Sequence, residues 1–334
     1  MAATWAVLLL IFVAGSTGDA RTVDTSCRAP WPETSTLCVY EDDPSVTDKG
    51  VSEEDIKVIL EEHNKYRAAV SPTAKQMQKM YWSEELEVTA QKYAQACKGG
   101  HDSFTNRKVP GWSIPISQNG AYLNRDWRAA VWVWHNESRM FTYGKEYSET
   151  SNPPWSKIGH YTSVVRDVTV LIGCGYARCG GNRDTYYCNY AYYNNIKIIG
   201  FPYVQGTPCE GCPDHCDNNL CDCKGRQCLN GKLDPATCTC TCKNSYWTGD
   251  NCEIRLCDGL ECKNGGTFDA DSCTCACTSL LWTGKDCSKM DRGECRDESS
   301  CKTFFKGKCN VWSNAPISCP KMCGVCTPGK DQYS

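Results

Sequence analysis

Cysteine usage constrains this chain more than any other feature. Its 334 residues include 28 cysteines, and 22 of them fall between Cys209 and Cys326. Such density reads as disulfide frameworks closed in an oxidising compartment. Zinc ribbons would need paired Cys-x-x-Cys knuckles. Only Cys209/Cys212 and Cys323/Cys326 have that spacing, and neither has a matching partner. A net charge of −3 with both signs interspersed gives no reason to expect nucleic acid or an anionic membrane as a partner.

The N-terminus agrees with the cysteines. Trp5 to Ala14 is an apolar run followed by Gly15, Ser16, Thr17 and Gly18. It is too short to span a bilayer and has the form of a signal-peptide core, so residues 1–20 are expected to be cleaved after Gly18 or Ala20. No later stretch reaches transmembrane length, and the C-terminal Asp-Gln-Tyr-Ser carries no retention signal or lipid-anchor tail. The expected location is extracellular.

Residues 21–50 read as polar and irregular. A helix is expected from Ser52, where Asp55 completes a capping-box-like start, to Pro72, with Ile56, Ile59, Leu60, His63, Tyr66 and Val70 at helical spacing. A second runs from Ser83 to about Cys97, stopped by Gly99 and Gly100, with His101 following. A loop containing Pro110, Trp112 and Pro115 leads to a third helix near Asp126, whose apolar stripe includes Trp127, Ala130, Val131, Trp134 and Phe141. Glu137 falls on that stripe, and a carboxylate on a buried face needs a partner. His160 sits between a glycine and a β-prone run. Further β-type runs are Val168 to Cys174, Tyr186 to Tyr193 and Lys197 to Val204. Helices with interleaved or following strands, without βαβ alternation, indicate a layered α+β domain ending near Val204.

Residues 51 to 200 resemble the CAP superfamily of cysteine-rich secretory proteins, antigen 5 and pathogenesis-related proteins. The resemblance rests on His63-Asn64-Lys65-Tyr66-Arg67, Trp134-His135-Asn136-Glu137, Gly159-His160-Tyr161-Thr162, and Tyr187-Cys188-Asn189-Tyr190 with Asn195. It implies a three-layer α-β-α sandwich over 51–204 and a central cleft of two histidines and two acidic residues. Those positions hold His101, Gln118 in place of one glutamate, Glu137 and His160. Ser117 and Ala191 stand where the secretory branch has a disulfide. The pairs implied are Cys97–Cys179 and Cys174–Cys188, with Cys27–Cys38 remaining in the N-terminal segment.

Downstream, residues 205–222 resemble the hinge of cysteine-rich secretory proteins, implying Cys209–Cys216 and Cys212–Cys221. A repeat of 34 to 35 residues follows, in which Cys223, Cys228, Cys238, Cys240, Cys242 and Cys252 are echoed by Cys257, Cys262, Cys273, Cys275, Cys277 and Cys287. The copies, 223–253 and 254–288, resemble EGF-like modules. That likeness implies Cys223–Cys238, Cys228–Cys240 and Cys242–Cys252, then Cys257–Cys273, Cys262–Cys275 and Cys277–Cys287, without the acidic approach of calcium-binding modules. Residues 294–327 resemble an ShK-type toxin domain, implying Cys295–Cys326, Cys301–Cys319 and Cys309–Cys323.

Two readings of the cleft follow. His101 and His160 hold a divalent cation such as zinc, with Glu137 assisting through water and Gln118 having removed one charge; or the four polar groups satisfy one another and are structural. Hydrolysis through Ser103 or Ser163 would make His101, Glu137 and His160 catalytic, but no Gly-x-Ser-x-Gly or His-Glu-x-x-His surrounds them. His63 and Arg67 are expected to be structural. Asn136-Glu137-Ser138 is the one N-glycosylation sequon, placed so that a glycan would crowd the cleft mouth.

The Lys-Tyr pair of channel-blocking ShK-type toxins is missing between Cys309 and Cys319, where Asn310 to Ser318 holds no lysine. Trp247, Trp282 and Trp312 are either interface anchors or small-module core. The function expected is extracellular binding of a protein, receptor, ion channel or apolar ligand, sterols and lipids included. A venom or secretory-gland channel modulator and a CAP-type endoprotease are the alternatives.

Overall fold

The computed structural model describes residues 20–21, 23–123, 125–192, 198–257, 260–269, 273–277, 282–290, 297, 299–303, 305–306, 308–309 and 318–325. The signal-peptide core, Asn195, the Cys295–Cys326 pair and Trp312 lie outside them. The chain divides into two compact units, Met1–Lys243 with Gly249–Glu253, and Asn244–Thr248 with Ile254–Ser334.

In the first unit, α1 (Thr36–Val39) and β1 (Asp48–Lys49) precede α2 (Glu53–Ala68). Helix α2 opens on Ser52, whose hydroxyl accepts the Asp55 N–H while the Asp55 carboxylate accepts the Ser52 N–H. Acidic residues in its first turn face the positive end of the helix. It ends at Ala68 and not at Pro72, because Ser71 before a proline is disfavoured in the helical region and Ala69 has already left it. β2 (Tyr81–Trp82) leads into α3 (Glu84–Gln95), capped by Ser83. Then come β3 (Ile116–Tyr122), α4 (Trp127–Asn136), α5 (Gly159–Val164), β4 (Leu171–Cys179) and β5 (Arg183–Ala191).

β4 and β5 form an antiparallel hairpin with Cys174 opposite Cys188, and these two are disulfide-bonded. β3 pairs antiparallel with β5, and β1 and β2 lie along the other side of β4. The strand period of two then sorts the side chains. Ile172, Cys174, Tyr186, Cys188 and Tyr190 pack with Ile56 and Ile59 of α2, Trp134 of α4 and Val164 of α5. Ala177 and Tyr187 pack instead with Ala90, Tyr93 and Ala94 of α3, and Ala191 with Leu86. Each large apolar side chain so buried contributes roughly 1.5–3 kcal/mol. Helix α3 lies so close to β4 that a Cβ on Gly173 would stand 2.2 Å from the Glu87 nitrogen, and one on Gly175 would stand 2.3 Å from the Gln91 Cα. Any side chain there would push the helix away.

Four local expectations are corrected. β3 falls in the expected loop. It contains buried polar residues, Ser117, Gln118 and Asn119, which hide a strand from any reading of apolar alternation. The run around His160 is helical, because Glu137 accepts the backbone N–H groups of His160 and Tyr161 at the first turn of α5. β4 starts at Leu171 and not Val168, since the Asp167 and Thr169 carbonyls are taken by Arg67. The described part of the Lys197 to Val204 run is turn and bend; Pro202 has no N–H to give a ladder.

The N-terminal segment is not loose. It covers the outer side of α3, so that Glu87, Lys92 and Gln95 are buried as well. Lys92 Nζ lies 2.7 Å from Asp42, Gln95 donates to Thr25 and Asp42, and Arg21 bridges Glu53 and Glu84. Disulfides Cys27–Cys38 and Cys97–Cys179 staple this region.

Disulfides Cys209–Cys216 and Cys212–Cys221 staple the segment after Val204. Its backbone joins the body where Cys221 N donates to Met77 O and Lys79 N to Cys221 O. Beyond it, Cys223–Cys238, Cys228–Cys240 and Cys242–Cys252 enclose a hairpin of β8 (Gly231–Asp234) and β9 (Thr239–Cys242), after the short pair β6 (Cys216–Asp217) and β7 (Leu220–Cys221). Asn230 fastens this hairpin, accepting Ser113 N–H and donating to Gly111 O and Cys252 O.

Among its described residues the second unit shows three two-stranded ladders and the disulfides Cys257–Cys273, Cys262–Cys275, Cys277–Cys287, Cys301–Cys319 and Cys309–Cys323. Trp247 is buried there, with the Arg255 guanidinium 4.5 Å from its ring centre. Trp282 is half-buried. Among the described residues no helix is long and apolar enough to cross a membrane.

Candidate functional site

β3 is the outer strand of the sheet, and its consecutive residues Gln118 and Asn119 point to opposite faces. The cleft is built across them. On one face, Asn189 Nδ2 donates to Thr89 Oγ1 and, at 3.4 Å, to Leu86 O in α3. A carbonyl can only accept, so the polarity of the chain is fixed from there. Asn189 Oδ1 accepts Gln118 Nε2 at 3.1 Å, and Gln118 Oε1 meets His101 Nδ1 at 2.8 Å. His101 therefore carries its proton on Nδ1 and keeps the Nε2 lone pair.

On the other face a second chain starts at Ile59 O in α2. His63 Nδ1 donates to it at 2.8 Å, and His63 Nε2 accepts a hydrogen bond from the Tyr190 hydroxyl at 3.0 Å. Asn119 Nδ2 donates to the Tyr190 hydroxyl and to the His160 carbonyl. His63, Asn119, Asn189 and Tyr190 are at most 1 % exposed, so each of these bonds also removes the cost of a buried unpaired polar group. His63 is thus a supporting residue outside the cleft. Burial pushes its pKa down to about 4.

Glu137 occupies the turn after α4. Its Oε1 lies 2.7 Å from His160 Nδ1, and its Oε2 accepts two backbone N–H groups of α5. A carboxylate facing Nδ1 holds the proton on that nitrogen, leaving the Nε2 lone pair of His160 as well. Neither Nε2 has a hydrogen-bond partner among the described residues. The two rings stand 6.4 Å apart, centre to centre. Desolvation lowers the His101 pKa, which favours the neutral ring that a cation needs.

The cleft measures about 760 Å³ and is lined by His101, Gln118, Asn119, His160, Ser163 and Trp155, among others. Glu137 does not line it; it stands behind His160, so the expected water-bridged role is replaced by one of orientation. No residue of α4 lines it either. Ser103 Oγ bonds Thr105 and Ser163 Oγ donates to Gly159 O; neither bonds a histidine.

Two imidazoles with free Nε2 lone pairs suit a borderline cation such as Zn²⁺. Two imidazoles sharing a tetrahedral ion at about 2.0–2.1 Å hold their ring centres about 5 Å apart. The observed pair is wider, and among the described residues no group of three or more His, Cys, Asp or Glu stands ready to hold a metal.

Arg67, on the same helix as His63, is 1 % exposed. Its guanidinium reaches the carbonyls of Gln78, Val164, Arg166, Asp167 and Thr169, joining the segment before β2 to the end of α5 and the stretch that follows it. Asn64 closes a two-way bond with the backbone of Met80.

The sequence has known relatives. The model of the cysteine-rich secretory protein family, CAP, matches residues 60–190. Human cysteine-rich secretory protein 2 is 39% identical over 171 residues, covering 49% of this chain and 67% of that protein. Cysteine-rich venom protein Mr30 of Conus marmoreus is 32% identical over 259 residues, covering 75% of this chain and 82% of its own length. Allurin of Xenopus tropicalis is 39% identical over 170 residues, covering 49% and 80%. The chain belongs to the cysteine-rich secretory protein (CAP) family.

Proposed function

We propose that this chain is a secreted, non-enzymatic binding protein. Its CAP domain spans 51–204 as a three-layer α-β-α sandwich, with a hinge at 205–222, EGF-like modules at 223–253 and 254–288 and an ShK-type domain at 294–327. The observation that carries the binding reading is the use made of Glu137. Its carboxylate is spent on His160 and on the first turn of α5, and among the described residues no hydroxyl is bonded to either histidine. A nucleophile–base pair would need that bond. Small modules with little core and much displayed loop suit recognition of an extracellular protein or receptor.

His101 and His160 would hold a divalent cation through Nε2. Bound there, zinc supplies a Lewis-acidic anchor for an acidic or carbonyl group of a ligand. Calorimetric titration of the full chain with zinc tests this: the wild type is expected to give heat, and a His101→Ala/His160→Ala double variant none. Equal heats would remove the metal from the reading. Turnover of a fluorogenic peptide library that disappears in His160→Ala would overturn the non-enzymatic reading.

Channel modulation of the venom type is a second reading, favoured by similarity to the Conus venom protein over 75% of this chain. Patch recording with the intact chain against voltage-gated channels tests it; unaltered currents would count against it.

A further inference from the structure

Helix α4 turns one face to the core, through Trp127, Ala130, Val131 and Trp134. Its other face is unusual for a surface. Trp132 is 51% exposed and Val133 38%, and Met140 in the following turn is 41% exposed. An indole half open to water beside two more apolar side chains loses the benefit of burial. Asn136, the last residue of α4, lies four residues after Trp132 and three after Val133, and Met140 follows in the 3₁₀ turn. At i, i+4 spacing in a helix, side chains are neighbours. The Asn136 amide has no hydrogen bond among the described residues, and Ser138 completes the sequon Asn136-Glu137-Ser138.

We propose that Asn136 carries an N-linked glycan and that the exposed Trp132 indole is the platform on which its first sugars lie. The apolar C–H face of a pyranose covers an aromatic ring while its hydroxyls stay in water, as other amphipathic groups do at such surfaces. The covalent step uses a lipid-pyrophosphate-linked oligosaccharide as donor. The Asn136 amide nitrogen forms a bond to the anomeric carbon and gives up one proton to a base of the transferase. The bond from that carbon to the pyrophosphate oxygen breaks, and lipid pyrophosphate leaves with the electron pair. The occupant is placed by covalent attachment, which is why a glycan, and not a partner protein, is assigned to this face. No residue of α4 lines the cleft that holds His101 and His160.

The inference rests on passage through the secretory route, and the experiment separates the two. The full chain is expressed in a eukaryotic cell, collected from the medium and treated with peptide-N-glycosidase F. Loss of mass with conversion of Asn136 to aspartate is expected, and absence of both in Asn136→Gln. Secretion of an unmodified chain overturns the inference alone; a chain retained without modification overturns secretion as well.

The platform has its own readout. Deglycosylation is expected to lower Tm by about 2–4 °C in the wild type. The drop should be largely absent in Trp132→Ala and restored in Trp132→Phe. An equal drop in all three would mean that the sugar does not rest on the ring.

Discussion

Glu137 Oε1 and His160 Nδ1 lie 2.7 Å apart, and the same carboxylate closes the first turn of α5 with its second oxygen. One side chain therefore sets both the proton position of a cleft histidine and the fold of the segment that carries it. Replacing Glu137 with Gln separates these roles. The amide oxygen can still accept the two backbone N–H groups, but its NH₂ would then face Nδ1 and drive the His160 proton to Nε2. Stability is expected to fall by only about 1–2 kcal/mol in urea unfolding. Zinc affinity is expected to fall 10- to 100-fold by calorimetry, roughly the loss typical of such supporting partners. Unchanged affinity would show that His160 does not bind through Nε2.

Gln118→Glu is the opposite change. It places a charge beside His101 Nδ1, while its second oxygen faces Asn189 Oδ1 and forfeits the bond that Gln118 Nε2 donates there. Zinc affinity should rise about tenfold or more. The His101 pKa, now lowered by desolvation, should rise, as followed by NMR of its ring protons.

His63 makes stability depend on pH. Its folded pKa is about 4, below an ordinary value near 6.5, so the unfolded chain binds the extra proton between these limits. The contribution is fully present above about pH 6.5 and falls by about 3 kcal/mol as pH drops toward 4. His101, lowered in the same direction, adds to it. Urea midpoints measured from pH 7 to 4.5 should slope downward in the wild type and flatten in His63→Gln. A parallel slope in the two would assign the effect elsewhere.

Arg67→Lys is not conservative here. An ammonium has three donors on one atom and cannot serve five carbonyls, and a buried acceptor left unpaired costs about 1–3 kcal/mol. A loss of about 3–5 kcal/mol at unchanged urea m-value is expected. A loss under 1 kcal/mol would mean that water replaces the fork.

Asp222 ties the stapled segment to the body through Tyr81 and Lys79, and also holds the neighbouring Lys224. Burial pushes its carboxyl up, but the Lys224 and Tyr81 bonds outweigh this and hold it well below the usual range. Its contribution is therefore present above about pH 4 and is lost as pH falls further. Asp222→Asn should speed amide exchange over residues 221–232 at pH 7 while leaving α2 and α3 protected; unaltered exchange would show that the backbone bonds at Met77 and Lys79 suffice.

Helices α2, α3 and α4 were legible because their apolar residues recur at helical spacing and their starts carry Ser52, Ser83 and Asp126 as caps. The family signatures marked His160 and His101 as neighbours, and the structure places them across one cleft. What spacing could not carry was long-range polarity. Gln118 and Asn119 look like loop residues until Asn189 and Tyr190 are brought beside them by strand pairing. Lys92 and Gln95 of α3 are polar yet buried, because the N-terminal segment supplies Asp42 and Thr25, a contact that no local spacing signals. α5 is helical for a reason that lies in Glu137, more than twenty residues away.

The alternation along β3 has a consequence for how this site tolerates change. Gln118 and Asn119 serve opposite faces because they are adjacent, so a single insertion or deletion within the strand would hand each histidine the wrong partner. The loops on either side of β3 can vary in length without touching that assignment. The strand itself behaves as a ruler with one permitted setting, and variation in this cleft is confined to exchanging side chains at fixed positions.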